Sequence, residues 1–216
     1  MALGGGRVIA QYENPGMGAR TYLRIRWAIC PFDRILPFVP DRGDLLDVGC
    51  GSGLWLTYLS LEKPALQLHG VDTDPRKLEV AATSQVAAKA QLRQASAADL
   101  PERTFDCITI LDVMCLLSDE LKAEVLRACY AALRPGGTIV LKDADTSPWW
   151  KYAPMALEEL IWVRILGKTH GRPRFESLDG YRRGLEAAGF QNSEVARIDR
   201  GYLHPHVVVR ARKAAP

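Results

Sequence analysis

Nothing in the 216 residues approaches the run of roughly 20 apolar residues that a helical membrane span requires. Residues 1–8 hold too few apolar side chains for a secretory signal, and Gly4-Gly5-Gly6 predicts local disorder. Cysteine is sparse: Cys30, Cys50, Cys107, Cys115 and Cys129 are odd in number, scattered, and include no C-x-x-C pair. This argues against a disulfide frame or a cysteine zinc site and reads as reduced thiols in a cytoplasmic protein. His204-Pro205-His206 has no evident third ligand, so no metal is expected. Neither sign of charge dominates: 28 Lys and Arg stand against 25 Asp and Glu, a formal net charge of +3. That is too mild to point to nucleic acid, and no recognition domain is appended for one. There is no internal repeat and no low-complexity tract.

What is present is the composition of a soluble globular domain, 48% hydrophobic and 25% charged. The length fits one domain with room for an extra helix or two. From Asp44 onward strand-like and helix-like segments alternate. Strands are predicted at Asp44–Val48, Leu66–Val71, Leu92–Gln94, Phe105–Leu111 and Thr138–Lys142. Helices are predicted at Leu54–Leu61, from Pro75 to Ala90, and at Glu120–Leu133, the last ended by Pro135-Gly136-Gly137. This alternation implies an α/β fold, a doubly wound parallel sheet with helices on both faces. After Lys142 the rhythm changes. A loop at Asp143–Pro148 leads to an aromatic-rich helix at Trp149–Leu166 and a basic broken loop at Gly167–Arg174. A helix at Asp179–Ala188 and strands at Ser193–Ile198 and His206–Ala211 follow. The short turn between those strands fits an antiparallel hairpin.

Two segments stand outside the core pattern. Residues 1–40 form an N-terminal helical arm, whose Ala19–Val39 stretch mixes Arg20, Arg24, Arg26 and Arg34 with apolar side chains and is broken at Pro31. It reads as a helix covering the sheet or the mouth of the site, a lid. The alternative is a helix at a membrane surface. Residues 41–216 form the main domain, with a helical insertion over about 146–178.

The stretch Leu45–Gly53, L-L-D-V-G-C-G-S-G, runs a strand into three glycines and then a helix. Glycines there let backbone turn sharply and approach a ligand. A pyrophosphate would call for G-x-G-x-x-G, whereas the spacing here is G-x-G-x-G. Asp47, just before the glycines, would repel a pyrophosphate but orient an ammonium, so the near end of the ligand is expected to be an amino acid. Asp72, in G-V-D-T-D-P, lies 19 residues past Gly53 (72 − 53) at the end of the second strand. It is placed to accept from ribose hydroxyls. Asp74 before Pro75 is the better helix cap.

From Asp41 to Lys142 these features resemble the class I S-adenosylmethionine (SAM) methyltransferases. The glycine stretch is similar to that family's first motif and G-V-D-T-D-P to its second. Ala95–Pro101, A-S-A-A-D-L-P, is similar to its adenine-binding turn, and Phe105–Leu117 and Leu133–Val140 to its fourth and fifth elements. The resemblance implies a seven-stranded sheet with an antiparallel last strand inserted between the fifth and sixth. It also implies SAM as the donor and S-adenosylhomocysteine as the product. Carried over, Asp47 orients the methionine amine, and Gly49 and Gly51 make room for the methionine and sugar, with Cys50 and Gly53 in the same loop. Asp72 binds the ribose, Thr73 lies at the adenine face, and Ser96 and Ala97 belong to the adenine turn. Ser96 stands where the family often has Asp, and Asp99 replaces it only in a shifted turn. Asp112 and Val113 lie beside the sulfonium.

The acceptor is expected over the carboxyl ends of the fourth to sixth strands. His204 is the first candidate for a proton acceptor, because an unperturbed histidine titrates near neutral pH. Asp112 and Asp143 are the other catalytic candidates, and Asp145, Asp199 and Tyr202 qualify by position. Trp149 and Trp150 read as a pocket wall or as packing of the insertion. Arg164, Lys168, Arg172 and Arg174 read as a solvated face or as contacts to an anionic acceptor. No N-P-P-Y-like motif follows the fourth strand, where Leu111-Asp112-Val113-Met114 stands, which counts against amine methylation of bases or glutamine. The expected function is methylation of a small-molecule or lipid-like acceptor on oxygen. RNA or protein methylation, a non-catalytic cofactor-binding regulator and a nicotinamide dehydrogenase are the competing readings.

Overall fold

A computed structural model describes residues 4–85, 89–147, 149–150 and 174–215. At its centre is a seven-stranded sheet in the order β3-β2-β1-β4-β5-β7-β6. The strands are β1 (Arg42–Val48), β2 (Ala65–Asp72), β3 (Ala90–Gln94), β4 (Phe105–Leu111), β5 (Leu133–Ala144), β6 (Gln191–Arg197) and β7 (His206–Arg212). The first five run parallel. Strand β7 is antiparallel to both β5 and β6, so the expected last-strand insertion is present.

The central strands β1, β4 and β5 are buried on both faces along most of their length because helices cover both. Alternate residues feed two cores. Leu45, Cys107, Val140 and Val208 face the N-terminal helices, α1 (Gly5–Ile9), α2 (Met17–Ile29) and α3 (Phe32–Ile35), and α4 (Leu54–Glu62). Leu46, Ile108, Ile139 and Val207 face α6 (Asp119–Ala132) and α7 (Leu178–Ala187). Helix α5 (Pro75–Ala82) follows β2.

Helix α4 is apolar nearly all round, with Leu54 through Leu59 buried. Such a helix needs cover on two sides, and the arm supplies the second. Trp27 of α2 meets Tyr58 edge-on at 5.2 Å, and Phe32 of α3 stacks on Trp55 at 5.8 Å. Pro31 is the N-cap of α3, which accounts for the expected break.

Several expectations are corrected. Gly5 and Gly6 are helical, not disordered: Gly5 lies against the Trp27 indole where a Cβ would collide. The helix from Pro75 ends at Ala82 rather than Ala90. Beyond it the backbone is captured by the arm: Glu13 N–H donates to Thr83 O at 2.7 Å and Gln85 N–H to Gln11 O at 2.9 Å. Pro135-Gly136-Gly137 lies inside β5 rather than in a turn before it, at a register shift against β4, with Gly136 at φ 79°. Strand β5 also runs on to Ala144, paired with His206, so Asp143 is a strand residue and not part of a loop. Of the predicted insertion helix only Trp149 and Trp150 are described, both helical and exposed. Arg164, Lys168 and Arg172 lie outside the described residues. No helix among the described residues is long and apolar enough to cross a membrane.

Candidate active site

Strand β1 delivers Asp47 to its carboxyl end, and the chain then turns through Gly49, Gly51 and Gly53 at φ 74°, 54° and 72°. These left-handed values favour glycine. At Gly49 a second reason applies, since a Cβ would run into the Val113 side chain. The loop is tied down by the Gly49 and Cys50 N–H groups, which donate to Val71 O at 2.8 and 3.0 Å. From the arm, Tyr12 Oη donates to Ser52 O at 2.8 Å. From sequence Tyr12 is expected, with Tyr22 and Trp27, only as part of an arm closing the top of the site; its bond to the glycine loop, 40 positions away, has no local signal.

Asp47 is 3% exposed and accepts from Thr109 Oγ1 at 2.6 Å. Burial pushes its carboxyl up to about 7; Thr109 opposes this and the nearby charge of Asp72 adds to it. A buried carboxylate that resists ionisation alone is suited to a cationic ligand group. Asp72 braces the loop: Gly51 N–H donates to its Oδ2 and Asp74 N–H to its Oδ1, each at 2.8 Å. Asp74 is the cap of α5, as expected, accepting from Arg76 N–H at 3.0 Å. The buried Cys50 thiol is pushed up by desolvation and stays protonated.

The adenine-turn candidates are placed less openly. Ser96 and Asp99 form a reciprocal capping box around a short 3₁₀ turn: Ser96 Oγ donates to Asp99 at 2.9 Å and accepts from Ala98 N–H at 3.2 Å. The Ser96 hydroxyl is thus already engaged in holding its own turn. Ala97 packs into the second core. Thr73 is exposed between Asp72 and Asp74.

On the acceptor side, Asp112 leaves β4 at φ 56°, unusual for a non-glycine residue. Lys142 of β5, fully buried, donates to both of its oxygens at 2.6 and 2.7 Å, and Arg26 of α2 donates at 2.5 Å. Despite burial, these two cations hold the Asp112 carboxyl below the usual carboxylate range. A carboxylate stabilised by two cations is a poor base, which argues against Asp112 as the proton acceptor. Asp143 points to the opposite face of β5, accepting from Cys115 N–H at 3.1 Å and Ala144 N–H at 2.8 Å. Burial and the charge of Asp112 push it up to about 6, but it is fully enclosed on the α6 side of the sheet, which argues against it as a base as well. Asp145 accepts from Ser147 and Leu178 N–H at 3.1 Å and from Arg197 at 2.6 Å. His204 is half-buried on the turn before β7. Lys142, Arg26 and the ring of His206 complete this edge. Lys142 was read only as the end of a strand, and Arg26 as one of several arginines on a helix.

A groove of about 140 Å³ lies between α6 and α7, lined by Met114, Lys122, Leu126, Glu176 and Tyr181. It is on the sheet face away from the arm and holds none of the glycine-loop residues.

Comparison with known proteins agrees with this geometry. The model of the methyltransferase domain family matches residues 23–195. A ubiquinone biosynthesis O-methyltransferase of Pseudomonas putida is 30% identical over 137 residues, covering 61% of this chain and 57% of the relative. A 2-methyl-6-phytyl-1,4-hydroquinone methyltransferase of Synechocystis is 26% identical over 167 residues, covering 76% of this chain and 51% of the relative. The chain thus spans a little over half the length of these curated relatives. The solved structure of human N-acetylserotonin methyltransferase with SAM superposes with a TM-score of 0.71 at 15% identity, covering 98% of this chain and 57% of that one. Matched over most of its length, with the glycine loop and the β7 insertion in place, this chain belongs to the methyltransferase domain family.

Proposed function

We propose that the chain transfers the methyl group of SAM to a hydroxyl oxygen of a small-molecule acceptor. The observation that carries this is the pairing of the buried Asp47 carboxyl with the glycine loop, which fits a ligand with an ammonium at one end and little bulk beside it. In this reading Asp47 binds the ammonium, Asp72 presents its carboxylate to the sugar hydroxyls, and Gly49 and Gly51 leave the space between. SAM supplies an activated methyl group, so the protein's task is chiefly to position the acceptor and manage its proton. The name of the Pseudomonas putida relative, a ubiquinone biosynthesis O-methyltransferase, supports oxygen as the methylated atom, and both relatives' names support a quinone- or hydroquinone-like, lipid-like acceptor.

The surroundings follow the same reading. The five cysteines are free thiols, which supports a reducing, cytoplasmic setting. On α2, Leu23 and Arg26 turn inward, while Tyr22, Ile25 and Ile29 are exposed beside Arg20 and Arg24. That outer stripe supports a peripheral contact with an anionic lipid surface, and the inner one a lid over the site.

Calorimetry with S-adenosylhomocysteine and NAD, followed by transfer of tritiated methyl from SAM to catechol and hydroquinone, tests the reading. Binding of the thioether but not of NAD, with label in the phenol, is the expected result. Failure to bind S-adenosylhomocysteine overturns it.

A further inference from the structure

Resting on the methyl-transfer reading above, we propose that His206 binds the acceptor's hydroxyl through Nδ1 and takes its proton, with His204 behind it toward solvent. His206 is the first residue of β7 and pairs with Ala144 at the carboxyl end of β5. That places it on the sheet face of Lys142, at the edge where Asp112 leaves β4.

The ring is fixed by its other nitrogen. Nε2 lies 2.8 Å from the carbonyl oxygen of Ile29, the last residue of α2. A carbonyl only accepts, so Nε2 carries the hydrogen and Nδ1 has a bare lone pair. Nδ1 is buried without a hydrogen-bond partner among the described residues, in a side chain 4% exposed. Buried acceptors are nearly always paired, and one that is not calls for a partner from outside the chain. A hydroxyl group is such a partner.

The neighbourhood suits the step. Asp112, Lys142 and His204 act on the ring through their charge, and the titratable Tyr202 lies against it. Burial first, then the charge of Lys142, lower His206 to about 3, so the lone pair is available throughout the physiological range. As the acceptor oxygen bonds to the methyl carbon, the carbon–sulfur bond breaks with its electron pair on sulfur. The hydroxyl proton passes to Nδ1, leaving an imidazolium whose Nε2–H still donates to Ile29. Weak basicity is no obstacle, because an oxygen that is gaining a methyl while keeping its proton becomes a far stronger acid than an imidazolium. The carboxylate of Asp112 then faces the new charge, and the proton leaves past His204, whose ring lies edge-on at 5.8 Å. Tyr202, half-buried and edge-on at 5.6 Å, forms the outer wall, on the turn that must shift to admit an acceptor. Asp112 is committed to two cations and Asp143 faces the other side of the sheet, so neither competes for this role.

Two substitutions separate catalysis from tethering. His206→Gln keeps an N–H within reach of Ile29 O but has no acceptor at the Nδ1 position; His206→Asn does the reverse. The measurements are methyl transfer from SAM to catechol, S-adenosylhomocysteine affinity, and the ¹⁵N histidine spectrum of the S-adenosylhomocysteine complex with and without catechol. The parent is expected to show a bare Nδ1 whose resonance moves on adding catechol. His206→Gln should bind S-adenosylhomocysteine within about twofold of the parent and lose roughly 10²–10⁴-fold in kcat. His206→Asn should retain more turnover than His206→Gln, and His204→Ala should lose less than either. Parent-like kcat in His206→Gln, loss of its S-adenosylhomocysteine binding, or an Nδ1 resonance unmoved by a catechol that is turned over, each makes the ring a structural tether and overturns the assignment. If the parent methylates neither catechol nor hydroquinone, the ring-hydroxyl reading falls first and this assignment with it.

Discussion

Arg26 and Asp112, 86 residues apart in the chain, meet at 2.5 Å, and through this contact the N-terminal arm closes onto the end of β4. Asp112 is held from the other side by Lys142, which has no exposed surface of its own. The two cations are not equivalent. Removing Arg26 leaves Asp112 paired with the buried Lys142, whereas removing Lys142 leaves a partly buried carboxylate facing only the partly exposed Arg26. Arg26→Gln is expected to cost about 1–3 kcal/mol, the range for one charged hydrogen bond. Lys142→Met is expected to cost about 3–5 kcal/mol, the range for breaking a buried pair. Urea unfolding measures both, and the reverse ranking would mean that the arm, not the strand, holds Asp112.

With Asp47 binding the ligand ammonium as proposed, its buried carboxyl is expected to make cofactor affinity depend on pH. In the free protein it is pushed up to about 7, so at pH 5 it is mostly protonated. A ligand ammonium needs it ionised, and binding must then expel a proton. Affinity for S-adenosylhomocysteine should therefore rise by about tenfold per pH unit from pH 5 and level off near 7, each decade corresponding to about 1.4 kcal/mol. Calorimetry across that range in Asp47→Asn should give weaker binding with no slope. A slope that persists in the variant assigns the titration to another group.

Gly49 carries two constraints that substitution can separate. Its φ of 74° strains any side chain, and a Cβ there collides with Val113. Gly49→Ala should lose S-adenosylhomocysteine binding. Adding Val113→Ala should recover the steric part but leave a backbone penalty of about 1–2 kcal/mol. Full recovery in the double variant would show that the backbone conformation costs nothing here.

Asp72 serves the free loop before it serves any ligand. Its oxygens accept from Gly51 and Asp74 N–H groups, so Asp72→Ala removes two acceptors. Stability should fall by about 1–3 kcal/mol, and S-adenosylhomocysteine affinity should fall about tenfold or more, each decade being about 1.4 kcal/mol. Unchanged affinity with lowered stability would restrict Asp72 to bracing the loop.

The sequence by itself determined the alternation of strands and helices, the glycine loop with Asp47 and Asp72, and the cap at Asp74. These depend on residues close together in the chain, where period, turn chemistry and strand ends are readable. The closing hairpin was also legible, because its two strands lie too near for a crossover. Tertiary structure decided the rest. Helix α5 stops short because residues 11–13 of the arm take the backbone hydrogen bonds that follow it. Strand β5 runs through Pro-Gly-Gly and on past Asp143 because β4 and β7 offer partners along it. The pairing of Arg26 and Lys142 with Asp112, and the tether from His206 to Ile29, join residues between 30 and 177 positions apart. A buried charge or ring nitrogen is set by whichever partner folding brings beside it. No local pattern records that partner, so the chemistry of this edge becomes visible only once the sheet and the arm have packed together.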